Sequence, residues 1–335
     1  MKIIVDGFGG DKAPKAALEG CTLAVKELNV DILITGDEEK LRRCALENQI
    51  SLDRIEIIHA PSVIEVEDNP IRILKDKADC SMAMAFKLLA EERGDAFVSG
   101  GSTAAIVVGA SSYIKRMKGI KRAALAPVIP SDTGCYMLMD AGANLDCKPD
   151  MLLHFAIMGS IYMHNILHID NPRVGLVNIG EEETKGLELQ RETYQLLKSS
   201  KLNFVGNIEP RDIPLGIADM VVADGFSGNI ILKLTEGMGA GFNKNLKEMF
   251  TAGLGTKIAA ALMMKHLKAF KKKMDYTEYG GAPLMGISKP VIKAHGSSNA
   301  NAFKNAVRQA KQFVEHQVND EIVKALAELE PEAQN

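Results

Sequence analysis

The chain has no tryptophan, and aromatic residues make up only 5% of its 335 residues. Base stacking is therefore a poor candidate for its main way of holding a partner. It also lacks a charge excess: 40 Lys and Arg against 43 Asp and Glu leave a net charge of −3. There is no broad basic field of the kind nucleic acid demands, so nucleic acid is not an expected partner. Cysteine is sparse. Cys21, Cys44, Cys80, Cys135 and Cys147 are odd in number, widely spaced and without a CxxC pair, which speaks against a disulfide framework or a zinc site. Long apolar runs are missing too. The longest, residues 104–110, is about a third of what a spanning helix needs. The run Ile3, Ile4, Val5 is too short for a signal-peptide core, so the expected location is cytoplasmic. His164 and His168 stand four apart with Asp170 near, but neither a glutamate beside the first histidine nor a third ligand completes a metal motif. No metal and no cofactor is expected.

What is present is ordinary globular composition, 46% apolar and 25% charged. The chain is long enough to bury a large core without staples. Short β-rich runs alternate with amphipathic helical stretches. Strands are predicted at 2–6, 31–35, 55–59, 96–99, 136–140, 173–178, 220–224 and 291–294. Helices are predicted at 13–28, 38–49, 79–92, 103–114, 149–164, 182–199, 229–247 and 299–326. This alternation predicts an α/β fold: a doubly wound, mostly parallel sheet in a three-layer α/β/α arrangement. No repeat, low-complexity tract or linker interrupts it. Residues 1–330 read as one large catalytic α/β domain with an amphipathic helical projection near 250–276, and residues 331–335 as a frayed tail.

Four places share one pattern of strand, small-residue loop and helix start. They are Val98-Ser99-Gly100-Gly101-Ser102-Thr103, Asn178-Ile179-Gly180-Glu181, Asp224-Gly225-Phe226-Ser227-Gly228-Asn229 and His295-Gly296-Ser297-Ser298-Asn299. Glycine lets backbone N–H groups approach a ligand, and a helix start adds unpaired donors and partial positive charge. Loops at the carboxyl ends of strands are where open α/β sheets bind ligands. The same residues also serve ordinary turns and caps. None of the loops is GxxxxGK[ST], and Gly7-Phe8-Gly9-Gly10 is wrongly spaced for a dinucleotide fingerprint. No G-x-S-x-G elbow is present. Lys185 follows Glu181, Glu182, Glu183 and Thr184. It reads either as the ion-pair partner of an acidic first turn or as a point charge for phosphate.

Taken in order, these strings resemble one family, the PlsX-type phosphate acyltransferases of bacterial phospholipid synthesis. Asp6-Gly7-Phe8-Gly9-Gly10-Asp11 looks like the family's D-A-M-G-G-D opening, and Val98 to Ala105 looks like V-S-A-G-N-T-G-A. Asp140-Ala141-Gly142-Ala143-Asn144 with Cys147-Lys148-Pro149 looks like D-x-G-A-N…C-K-P. Asn178-Ile179-Gly180-Glu181-Glu182 with Lys185-Gly186 matches N-I-G-E-E…K-G. Asp224 to Asn229, Tyr279-Gly280-Gly281-Ala282-Pro283-Leu284 and His295-Gly296-Ser297-Ser298 complete the set over residues 6 to about 305. Ser102, Ala104, Phe8 and Ala123 depart from the family's usual Asn, Gly, Met and Pro. These departures bear on how the first two loops place phosphate or the acyl chain.

The resemblance implies transfer of an acyl group from acyl-[acyl carrier protein] to inorganic phosphate. It also implies a fold similar to the isocitrate/isopropylmalate dehydrogenases and phosphotransacetylases, and a homodimer. Such chemistry needs an aligned phosphate, fixed donors for a tetrahedral oxyanion and a proton for the departing thiolate. On this reading Lys185 and Asn229 serve the phosphate or the developing charge. Asn178, Ser99 and Thr103 add neutral donors, with Ser227, Gly228 and Gly281 in the same binding loops. His295 is the candidate acid, or else a loop cap. Asp224 is an orienter of Lys185 or a loop brace.

Residues 253–275 place Ala259, Met263, Leu267, Phe270 and Met274 on one stripe. Lys265, Lys268, Lys271 and Lys272 lie on the other side, which is the form of an interfacial helix. Peripheral membrane contact through Leu267, Phe270 and Lys271 is expected, on the inner face of the cell membrane. There a membrane glycerol-3-phosphate acyltransferase would receive the acyl phosphate. A core-facing helix, a dimer interface and a docking site for the acidic carrier protein are the alternatives for this stretch. For the whole chain the rival functions are a phosphotransacetylase-like enzyme using acyl-CoA, an NAD-dependent dehydrogenase relative and a non-catalytic membrane adaptor.

Overall fold

Ile3, Ile4 and Val5 are wholly buried in the computed structural model, which describes residues 1–273 and 276–328. A strand sends successive side chains to opposite faces, so burial of all three means a sheet covered on both sides. Ile3 and Val5 join one apolar cluster with Ile32, Ile34 and Val98, while Ile4 joins another with Leu33 and Phe97. Apolar runs of this kind belong to parallel strands flanked by helices. The strands are β1 (Lys2–Asp6), β2 (Asp31–Gly36), β3 (Ile55–His59) and β4 (Ala96–Ser99). They are separated by α1 (Lys15–Leu28), α2 (Glu38–Glu47) and α3 (Ser81–Ala90). After β4, α4 (Thr103–Gly109) runs into a π-helical turn at Ala110–Ile114.

The chain then leaves this sheet. Past β5 (Ala124–Leu125) it builds a second one from β6 (Val128–Ser131), β7 (Gly134–Met139), β8 (Val174–Val177), β9 (Phe204–Ile208) and β10 (Met220–Val222). α5 (Pro149–Leu167) and α6 (Glu188–Ser199) lie in the connections. α7 (Gly225–Thr251) and α8 (Leu254–Lys273) form a helical hairpin. The chain returns through β11 (Ala282–Met285) and β12 (Val291–Lys293), then ends in α9 (Ala300–Glu315) and α10 (Val318–Ala327). The first sheet has the order β3-β2-β1-β4-β12-β11-β5 and the second β6-β7-β10-β8-β9. Pairing is parallel except around β11 and in the β6–β7 hairpin.

The α/β class and the mostly parallel pairing are as expected, with the strands divided over two sheets. β5, β6, β9 and β11 are absent from the sequence prediction. β5 has only two residues, and β6 and β11 each carry a proline, which strand patterns admit only at edges, ends and bulges. The helix predicted at 182–199 starts only at Glu188, so Lys185 lies in a loop and not in a first helical turn. The helix predicted from 229 starts at Gly225, which puts Asn229 one turn inside it. The helix predicted at 299–326 is broken at Gln317, whose φ of 48° is left-handed.

The hairpin differs from the body. α7 buries only Gly225, Gly228 and Ile231, and none of the described side chains of α8 is buried. Of the predicted apolar stripe, Leu267 is half-buried and Phe270 meets Phe242 of α7 at 6.0 Å between ring centres. Ala259 and Met263 on the same stripe are exposed. Leu254 and Leu262, 79% and 82% exposed, point outward with Ile258, and Lys271 is exposed. Met274, the Lys272 side chain and the tail at 331–335 lie outside the described residues. Among the described residues, no helix is long and apolar enough to cross a membrane.

Candidate active site

Three loops at the carboxyl ends of β1, β4 and β12 interlock. The buried Asp6 carboxylate accepts from Ser99 Oγ at 2.8 Å and from the Phe8 N–H at 3.2 Å. Ser99 Oγ accepts in turn from the Gly101 N–H at 3.0 Å. Burial pushes the Asp6 carboxyl up, and these hydrogen bonds oppose the rise. Gly9 packs directly on the group: a Cβ there would lie 2.7 Å from Asp6 Oδ2, Ser99 Oγ and Gly101 N. Gly10 has φ +105°, and the next N–H, of Asp11, donates to the Gly296 carbonyl at 2.8 Å. Ser99 is thus a buried brace under the loops.

These loops form one wall of a cleft of about 960 Å³. Phe8, Ile64, Val66, Leu125, Val128 and Ile129 contribute apolar lining, and Thr103, Gly281, Lys233, Glu236, Lys293 and His295 also border the volume. Lys293 is the last residue of β12, in the interior of the first sheet, and is half-buried. Its Nζ donates to the carbonyls of Gly100 and Ala294. Burial, then the Lys233 charge, pushes its pKa down to about 8, with Asp11 and Glu236 opposing. It remains mainly cationic at neutral pH, and an ammonium has three donors. A partly dehydrated cation facing a cleft is suited to hold an anion. His295 Nδ1 accepts from the Ser297 N–H at 3.2 Å, which leaves the ring proton on Nε2. Glu236 Oε1 lies 3.7 Å from Nε2. Burial lowers the His295 pKa more than Glu236 raises it, so the ring is neutral at pH 7.

The loops of the second sheet are tied mainly to themselves. The wholly buried Asp140 carboxylate accepts from the N–H groups of Leu125, Gly142, Ala143 and Asn144 and from Asn144 Nδ2. Gly228 packs on it so closely that a Cβ would fall 1.9 Å from the Asp140 carbonyl oxygen. Asp224 caps α7, accepting from Phe226 N–H, Ser227 N–H and Ser227 Oγ at 2.8–3.0 Å. Asn178 braces its own loop through the Lys185 carbonyl at 3.1 Å and the Ile179 N–H at 2.8 Å. Lys185 is 48% exposed, with Glu182 at 4.0 Å. Asn229 is exposed beside Gly142.

The predicted site residues therefore fall into two groups. Thr103, Gly281 and His295 line the cleft, with Ser99 beneath it. Lys185, Asn229, Asn178, Asp224, Ser227 and Gly228 belong to the second sheet and are not part of the lining. Lys293, Lys233 and Glu236 are absent from the sequence reading. A signal existed for each: Lys293 interrupts an apolar strand just before the His295 loop, and Lys233 and Glu236 follow Asn229 at helical spacing. Among the described residues, no group of three His, Cys, Asp or Glu side chains is placed for a metal ion. His168 is the left-handed cap of α5, its ring 6.0 Å from that of His316.

In fold the chain is similar to the phosphotransacetylases. A phosphotransacetylase from Streptococcus pyogenes superposes with TM-score 0.61 at 21% identity over 94% of both chains. The EutD phosphotransacetylase from Staphylococcus aureus gives 0.60 at 17% identity over 95% of this chain and 94% of that one. Sequence comparison goes further. The model of the family described as "Fatty acid synthesis protein" matches residues 1–321. The phosphate acyltransferase of Alkaliphilus oremlandii is 48% identical over 98% of both chains, and that of Clostridium acetobutylicum is 45% identical over 98% of this chain and all of its own. The chain belongs to this family, the PlsX-type phosphate acyltransferases, and is an acyltransferase of fatty acid and phospholipid synthesis.

Proposed function

We propose that the protein transfers a long-chain acyl group from acyl-[acyl carrier protein] to inorganic phosphate, giving acyl phosphate and the free carrier protein. The observation that carries this reading is a cleft in which apolar lining and the Lys293–Lys233–His295 group meet. Such a volume takes a hydrocarbon tail and an anion together. A phosphate oxygen attacks the thioester carbonyl, the C–O bond forms, and collapse of the tetrahedral intermediate breaks the C–S bond. Lys293 and Lys233 hold the phosphate charge near the reacting carbon, which is a proximity effect. The neutral His295 Nε2–H donates a hydrogen bond to the departing thiolate, and Glu236 steadies the ring. The proton that neutralises the thiolate is the one given up as hydrogen phosphate becomes the more acidic acyl phosphate. Lys185 and Asn229 remain candidates for the same charge from the second sheet.

The protein acts as a homodimer on this reading, and the hairpin rests on the inner face of the cell membrane. Leu254, Ile258 and Leu262 would enter the lipid while the lysines of α8 meet anionic headgroups. Changing Leu254 and Leu262 together to Glu should abolish sedimentation with anionic vesicles and leave turnover in solution unchanged. Unaltered sedimentation would remove the membrane from the reading.

The reaction itself is tested by incubating the protein with hexadecanoyl carrier protein and phosphate. Phosphate-dependent release of carrier thiol with acyl phosphate is the expected result. Release from acyl-CoA alone would favour a phosphotransacetylase-like donor, which the fold likeness also suits.

A further inference from the structure

Gly237, Gly239 and Gly241 fall close together within α7. Glycine disfavours a helix interior relative to alanine, so each requires a reason. The body of the protein supplies none, because among the described residues a Cβ built on any of the three meets no atom within 4 Å beyond the helix's own backbone. The cleft separates them. Gly239 is half-buried and lines the cleft, whereas Gly237 and Gly241 are exposed and do not.

Position along α7 gives the cleft a direction. Lys233 and Glu236 come first and act on Lys293 and His295. Gly239 and Ala240 follow one turn later and Asn243 another turn on, all in the lining. At 1.5 Å per residue the helix wall therefore continues about 10 Å past Glu236. Just beyond the polar group it offers only a hydrogen atom and a methyl.

We propose that the missing side chain at Gly239 determines how long an acyl chain the cleft accepts. The chain leaves the reacting carbon near Lys293 and passes over Gly239 along α7. This specificity role rests on the acyl-transfer reading above. A larger residue at 239 fills open cleft without displacing any part of the fold, so long chains lose their seat and short ones keep theirs.

The test uses the full-length protein with carrier proteins bearing octanoyl to octadecanoyl chains, following phosphate-dependent thiol release. Each methylene denied its buried seat costs about fourfold in kcat/KM. Gly239→Leu should therefore lower the hexadecanoyl-to-octanoyl ratio by at least about tenfold. Gly239→Ala should move it in the same direction by less, with a melting temperature equal to or above that of the unaltered protein. Gly237→Leu and Gly241→Leu should keep the original profile. An unchanged profile in Gly239→Leu would overturn the proposal. So would an equal shift in Gly237→Leu, or a uniform loss at every length in a folded Gly239→Leu. If Gly239→Leu fails to fold, Gly239→Ala decides by the same ratio. If the unaltered protein releases no thiol at any chain length, the acyl-transfer reading itself is at fault, and the proposal falls with it.

Discussion

The loops above the two sheets share a vocabulary of glycine, serine, asparagine and aspartate, yet they are built differently. Those above the first sheet spend their glycines on close approach to one another, and the approach leaves a cleft with a partly dehydrated lysine in its wall. Those above the second sheet turn their polar groups inward. Asp140 is saturated by donors from its own loop and from Leu125, Asp224 caps its own helix, and Asn178 ties its own loop. Lys185 and Asn229 stand outward there, both in reach of water. A loop pattern therefore identifies a strand-to-helix turn. What the turn can do depends on whether its charges are paired internally or left facing a volume.

The largest expected effect separates the two regions directly. Lys293→Met should lower kcat/KM for phosphate by about a hundred- to thousandfold, the usual cost of removing a fixed electrostatic donor, with folding intact. Asp140→Ala should do the opposite. It strands several buried N–H groups and should cost about 3 kcal/mol of stability, read as a lower melting temperature, while the phosphate KM of the folded fraction stays the same. A third outcome concerns pH. The cationic form of Lys293 is the binding form, so kcat/KM for phosphate should fall as pH rises through about 8, approaching tenfold per unit. Lys293→Arg, charged at all accessible pH, should flatten that limb. The smallest effect is expected for Lys185→Ala, about tenfold on turnover with no change in melting, since its ion pair with Glu182 is long and exposed. A loss as large as that of Lys293→Met would break the comparison and bring the second sheet's loops into the reaction.

Much of the fold was legible because its strands are apolar runs bounded by glycine and polar clusters. The runs at 2–6, 55–59 and 96–99 match β1, β3 and β4 residue for residue. The misreadings have local causes. Residues 181–185 carry the acidic pattern of a helix start, but Gly186 at φ +85° and the grips of Asn178 and Asn207 hold them as a loop. The apolar stripe of α8 was visible as a stripe, but the meeting of its Phe270 with Phe242 of α7 was not. For the site, the sequence marked the His295 loop yet passed over Lys293. A lysine at a strand end looks like an exposed edge residue, and only its place between β4 and β11 makes it half-buried. Lys233 and Glu236 were overlooked for a related reason, since nothing in their helix reveals which face meets the cleft.

The position of β12 has a consequence for synthesis. It inserts between β4 and β11, pairing Ile292 with Val98 across nearly the whole intervening chain. Until residues 282–295 leave the ribosome, β4 is an open edge and the cleft wall lacks both Lys293 and His295. The second sheet, whose strands lie between residues 128 and 222, can assemble while the first is still waiting. A nascent chain thus lacks this wall of the cleft until residue 295 has been made, and a truncation before β12 removes Lys293 and His295 while keeping every strand of the second sheet.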